Sequence, residues 1–162
     1  MKYITRVIGL EETVVALNRK IKRIGDASLS GLIKAAEYIK GQALPITPID
    51  LGNLRVSSFV TWGGQMSGTN ATFTSSEKNQ GLASRMANDH TQSTTAASNR
   101  ARSLTLWRGP TVMLGYSAFY ALYVHEGNQM HLRGENKFLQ KAMGRNEKQI
   151  LEIIKKDVEK SK

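Results

Sequence analysis

The stretch Pro45-Ile46-Thr47-Pro48-Ile49-Asp50-Leu51-Gly52-Asn53-Leu54-Arg55-Val56-Ser57-Ser58 decides how the chain folds. Its two prolines stop any helix that precedes them, because proline lacks an amide donor and disfavours helical geometry in the residue before it. Asp50, Gly52 and Asn53 then supply the side-chain capping and positive φ of a turn. A strand starts after the turn, with Leu54 pointing at the core and Arg55 outward. A structural turn suffices to explain these residue types.

Toward the N-terminus, Leu10, Val14, Leu17, Ile21 and Ile24 recur at alternating steps of four and three, which is one face of an amphipathic helix. A second stripe, Leu29, Leu32, Ile33, Ala36, Ile39 and Ala43, is out of phase with the first across Gly25-Asp26. Either one long helix kinks there or Asp26 caps a second helix; a single kinked helix over about Leu10 to Ala43 is expected.

Toward the C-terminus, Val56 to Trp62 and Val112 to Tyr116 carry the β-branched and aromatic residues of short strands, with Val112, Leu114 and Tyr116 on one face. Between them, 24 of the 41 residues from 63 to 103 are Gly, Ser, Thr, Asn or Gln, and the only large apolar side chains are Met66, Phe73, Leu82 and Met86. So few apolar groups do not offset the entropy of ordering that length. The stretch 63–108 is therefore expected to be a mobile loop or an extended hairpin arm ordered against a partner. Phe119 to Val124 is a dense aromatic patch suited to a short helix that stops at Gly127. Phe138, Leu139, Ala142, Met143, Ile150, Ile153, Ile154 and Val158 mark one C-terminal helix from about Lys137 to Lys160, running through Gly144. The expected class is α+β: a long N-terminal helix, a small antiparallel sheet interrupted by the arm, and a C-terminal helix in a single domain.

At 162 residues the chain has room for one domain and not for two catalytic ones. No run of eighteen apolar residues occurs, and the opening MKYITRVIGLEE turns acidic before a signal-peptide core can form, so neither a membrane span nor standard secretion is expected. Zero cysteines exclude a disulfide framework, a thiolate zinc site and a Cys nucleophile, and fit a reducing compartment. The net charge of +10 favours polyanionic neighbours, yet it divides as +4, +2 and +4 over residues 1–43, 44–132 and 133–162, with no basic block. Charge spread in this way suits sequence-blind proximity to DNA better than base readout.

Catalytic constellations are hard to place. His125-Glu126 and His131 hold their histidines six apart across Gly127, whereas the helical zinc-protease pattern needs four. His90, beside Asp89, has no partner histidine and reads as a surface side chain. The carboxylates outside the helical ends are Asp50, Glu77, Asp89 and Glu126, no serine stands in Gly-x-Ser-x-Gly, and no glycine run continues as a phosphate loop. No catalytic residue, metal ligand or cofactor is expected.

The turn resembles the Pro-(Val/Ile)-Asp-Thr-Gly-Asn-Leu-Arg-x-Ser signature of the phage head-tail joining family, also described as tail-completion, neck or minor capsid proteins of long-tailed phages. Two further stretches are similar to that family in the same order. Tyr120-Ala121-Leu122-Tyr123-Val124-His125-Glu126-Gly127 looks like its Tyr-Ala-x-Tyr-Val-Glu-x-Gly, and Phe138-Leu139-Gln140-Lys141-Ala142 like its Pro-Phe-Leu-x-x-Ala. Leu51 stands where Thr is usual, Glu126 falls one place late, Asn128 replaces Thr, and Asn136-Lys137 lacks the proline. The likeness covers about residues 10–62 and 110–160.

The resemblance implies a non-enzymatic virion protein at the head-tail interface, made in the host cytoplasm. It would form a homo-oligomeric ring of six or twelve copies between the portal, adaptor or stopper and the tail-tube or terminator proteins, around the DNA channel. Phe73, Leu82 and Met86 of the arm, with Tyr120, Tyr123 and Glu126, are the candidate interface. Helical spacing of Tyr120 and Tyr123 suits a core equally well. Pro48, Asp50, Gly52, Asn53, Leu54 and Arg55 form the structural turn. The alternatives are a tail terminator, which is also a small ring former, a basic nucleic-acid-binding regulator, and a small hydrolase. Salt-dependent DNA affinity would favour the regulator, whereas a ring-sized particle without it would favour the neck protein.

Overall fold

A computed structural model of the chain describes residues 10–49, 51–67, 71–127 and 134–160, with side chains from residue 18 onward. Helix α1 spans Leu10–Ile46, 37 residues, and runs unbroken through Gly25-Asp26. Pro45 sits in its last turn. A one-turn helix α2 (Asn53–Val56) leads into strand β1 (Ser58–Trp62), which pairs with β2 (Gln65–Ser67) across Gly63-Gly64. Both glycines have positive φ, 51° and 93°, as the tight two-residue hairpin turn requires. Strand β3 (Val112–Tyr116) completes an antiparallel sheet of order β2-β1-β3, in the register Ser58↔Tyr116, Val60↔Leu114, Trp62↔Val112.

The fold class is the expected α+β, but the polar segment is not a loop or an extended arm. Apart from the short strand β2, its main element is a helix, α3 (Leu82–Arg108), 27 residues long and packed across all three strands. One face of α3 buries Met86, His90, Thr94, Ser98 and Ala101 at steps of four and three. Counting only large apolar residues missed this stripe, because small side chains let the helix approach the sheet closely. A helix can also hide a hydroxyl at little cost. Thr94 Oγ1 donates to His90 O at 2.7 Å and Thr105 Oγ1 to Ala101 O at 2.8 Å.

Strand alternation separates two packed layers. Phe59 turns toward α3, its ring edge-on to His90, and Gly115 opposite it leaves room for that ring: a Cβ there would stand 2.9 Å from Phe59 Cζ. Leu114, paired with Val60, instead packs with Ile39, Ala43 and Ala142 against α1.

After β3 come α4 (Ala121–Glu126), α5 (Phe138–Arg145) and α6 (Glu147–Glu159). The single C-terminal helix expected from the sequence is therefore two. The break falls at Asn146 and not at Gly144: Asn146 Nδ2 donates to Ala142 O at 2.9 Å while its Oδ1 accepts Tyr38 Oη of α1 at 3.1 Å. Helix α6 then runs antiparallel along α1. Gly31 faces the Ile154 backbone, and Asp157 accepts Ser30 Oγ at 2.8 Å and pairs with Lys34. The turns of α1 before Gly25 extend past the end of α6, with Arg19 to Ile24 exposed.

Candidate functional site

The turn does more than reverse the chain. Gly52 takes φ 80°, the left-handed conformation that only glycine adopts without strain. Asn53 clamps Thr74 on both sides: Nδ2 donates to Thr74 O and Oδ1 accepts Thr74 N–H, each at 2.7 Å. Pro48 is buried, Leu54 enters the core as expected, and Asp50 lies outside the described residues.

Arg55 corrects the sequence reading, because it is not directed outward. Its Nε donates to Thr47 O at 3.1 Å, and Nη2 donates to Pro45 O at 2.9 Å and to Thr47 O at 3.0 Å. The last carbonyls of a helix have no partner within it. The guanidinium fork supplies those donors and adds positive charge at the negative end of the helix dipole. The chain returns to this point before α5: Glu135 N–H donates to Ile46 O at 2.7 Å. Gly134, at φ 101°, presses so closely that a Cβ would lie 2.5 Å from Pro48 Cα.

The three stretches singled out by sequence converge here. Leu54, Ala121 and Phe138 share one buried cluster with Phe73, Met86 and Ala118, and Tyr120, Val124 and Leu139 pack against it. Lys137 N–H donates to His125 O at 2.7 Å. Phe138 packs T-shaped with His125 and with Tyr116, with ring centroids 4.8 and 5.0 Å away. Burial raises the Tyr116 pKa, opposed by its hydrogen bond to Thr47 Oγ1 at 3.1 Å and by the charge of Arg55.

Over this junction lies a shallow apolar cleft of about 210 Å³, lined by Tyr116, Ala121, Leu122, His125, Phe138 and Leu139. Leu122 is 73% exposed, and near it along the chain stand Tyr123 at 65% and Phe119 at 54%. Arg85 of α3 stacks over the Phe119 ring, 4.7 Å from its centroid. Glu126 is exposed, and its Oε1 lies 2.8 Å from His125 Nδ1. Such a surface offers apolar docking with one acidic group at its edge.

The predicted interface residues divide. Tyr123 and Glu126 are at the surface, Tyr120 and Leu82 are half-buried against the core, and Phe73 and Met86 are core residues, with Met86 only 1% exposed. His90 is not a surface side chain either: it is buried between Phe59 and Phe73, with Nδ1 2.7 Å from Ser117 Oγ.

Sequence reasoning placed Phe119 and Leu122 in an aromatic patch but not among the interface residues, and it missed Leu106 and Trp107, which are 80% and 85% exposed near the end of α3. The signal was available once α3 is treated as a helix, since both fall off its buried stripe. It also missed a basic block, Arg19-Lys20-Ile21-Lys22-Arg23, every residue of which is exposed. Averaging charge over long segments had hidden it. Among the described residues no three His, Asp or Glu gather as a metal site, and no helix is long and apolar enough to cross a membrane.

Comparison with models of protein families, with curated proteins and with solved structures finds no match for the chain.

Proposed function

We propose that this chain is a non-enzymatic structural protein of the phage neck. It forms a ring of six or twelve copies between the portal or connector and the tail tube, around the DNA channel, and completes head-tail joining. One observation carries the proposal: the three stretches that resemble the head-tail joining family pack into one junction under an exposed apolar cleft. In a free-standing subunit nothing requires Phe119, Leu122 and Tyr123 to be left in water together, whereas a ring subunit must present apolar surface to its neighbours. The sheet adds support, since β2 and β3 are its edges and an edge strand offers unpaired backbone groups to an adjoining chain.

The test is genetic and biochemical. Removal of the gene from the phage that encodes it should give DNA-filled heads and separate tails that the purified protein joins in vitro. Normal particles without the protein would contradict the proposal.

The exposed Arg19–Arg23 block favours one second reading, a basic protein that binds nucleic acid. That reading predicts duplex affinity that falls steeply with salt and weakens when Arg19, Lys20, Lys22 and Arg23 are neutralised.

A further inference from the structure

Helix α3 carries exposed apolar groups, Leu106 and Trp107, near its C-terminal end. Arg85, in its first turn, lies over Phe119, two residues before the cleft-lining Ala121. Trp107 stands 22 residues further along the same helix, about 33 Å away at 1.5 Å per residue. Trp107 is 85% exposed and is not among the residues that line the cleft, so within one copy it does not fill that cleft.

We propose that Trp107 of one copy inserts into the cleft between β3, α4 and α5 of the next copy, making the head-to-tail contact of the ring. This inference rests on the ring reading above and specifies its interface. Three observations support a second copy as the occupant.

The first is size. A cavity of roughly 150 Å³ lined by apolar side chains is enough to take up benzene, so a cleft of about 210 Å³ suits one indole ring. The second is presentation. Trp107 and Leu106 project from a 27-residue helix, so the bulky group is held in place before docking and little ordering entropy is lost. The third is charge. Exposed Arg108 follows Trp107, and the cleft is edged by exposed Glu126. Lys141 is already engaged by Glu135, and Glu126 is held by His125, so Arg108 approaching from the α4 side adds a second basic partner to the Glu126 carboxylate. Exposed Lys137, which precedes α5, disfavours the opposite approach. Because knob and cleft are different surfaces, the contact is heterologous, and a repeated heterologous contact closes into a ring or continues as a filament.

The absence of cysteine makes the test clean. Full-length Leu106→Cys and Tyr123→Cys keep Trp107 and the cleft lining, and mixing the two under mild oxidation should yield a crosslinked dimer. Adding Trp107→Ala to the first chain should abolish the crosslink. In sedimentation, Trp107→Ala should weaken self-association of the otherwise native chain by about thirtyfold or more, as expected of a buried aromatic hot spot. Its circular dichroism and melting temperature should be unchanged, because Trp107 makes little contact within the subunit.

A missing crosslink, or one that survives Trp107→Ala, overturns the contact. If rings nevertheless assemble, the neck reading stands and its interface lies elsewhere. If neither the crosslink nor rings appear, in solution or in isolated necks, both fall. Binding of the wild type, but not of Trp107→Ala, to phosphatidylserine-containing vesicles, with no crosslink, would assign Trp107 to a membrane surface and also overturn the proposal.

Discussion

Arg55 holds the carbonyl of Thr47 with two donors, Nε at 3.1 Å and Nη2 at 3.0 Å, and so ties the strand side of the turn to the end of the helix that precedes it. Hydrogen bonds from a charged donor contribute roughly 1.5–3 kcal/mol where they are sheltered, and less where water can replace them. Arg55→Ala is therefore expected to cost about 1–3 kcal/mol in urea denaturation, with Arg55→Lys recovering only part, since an ammonium cannot reproduce the fork. Gly52→Val, which forces a β-branched residue to φ 80°, should cost a similar amount of roughly 1–3 kcal/mol. A neutral Arg55→Ala would show that the cap has no energetic role.

Two glycines of the C-terminal region should respond in opposite directions. Gly134→Ala places a methyl 2.5 Å from the Pro48 backbone at φ 101°, so a loss of at least about 2 kcal/mol is expected. Gly144→Ala meets nothing within 4 Å inside α5, and should raise stability by about 0.5–1 kcal/mol by restricting the unfolded chain. Thermal melts of the two variants give the comparison, and a shared sign would contradict the packing described here.

Helix α3 belongs to the folded core, which hydrogen exchange reads directly. Amides from Met86 to Ala101 should exchange slowly in the purified chain. Met86→Ala should destabilise by about 2–5 kcal/mol, because it empties a buried site beside Phe73 and Phe138. Fast exchange throughout the helix would restore the picture of a mobile arm.

Acid sensitivity should come partly from Glu135. Hydrogen bonds from Arg145 and Lys141 are the main causes that lower its pKa from 4.5 to about 2. A depressed carboxylate stabilises the fold fully above its unfolded value near 4.5, and that contribution is lost as pH falls toward 2. The melting-temperature difference between the wild type and Glu135→Gln should be constant above pH 4.5 and shrink below it. A difference that does not vary with pH would remove the carboxylate from the explanation.

Much of the scaffold can be read from local rules. Pro48 follows the end of α1 at Ile46, although Pro45 is accommodated within the last turn, a glycine at φ 80° makes the turn, and Val112 to Tyr116 is a strand with the expected bounds. What escaped depends on contacts between distant parts of the chain. Composition made α3 look disordered, yet Thr94, Ser98 and Ala101 are buried because a sheet lies beneath them. Arg55 reads as a surface residue until the carbonyls of Pro45 and Thr47 are brought to it. Gly134 gives no local sign of its role, which arises from the crossing of two backbones. The cleft is invisible for the same reason, since β3, α4 and α5 each supply part of it.

The proposed ring is the central claim, and mass measurement of intact necks, isolated from a phage found to carry this gene, tests it most directly. The account predicts this protein in the neck in six or twelve copies, matched to the symmetry of the portal. A single copy per neck, a number unrelated to that symmetry, or its absence from the neck would contradict it.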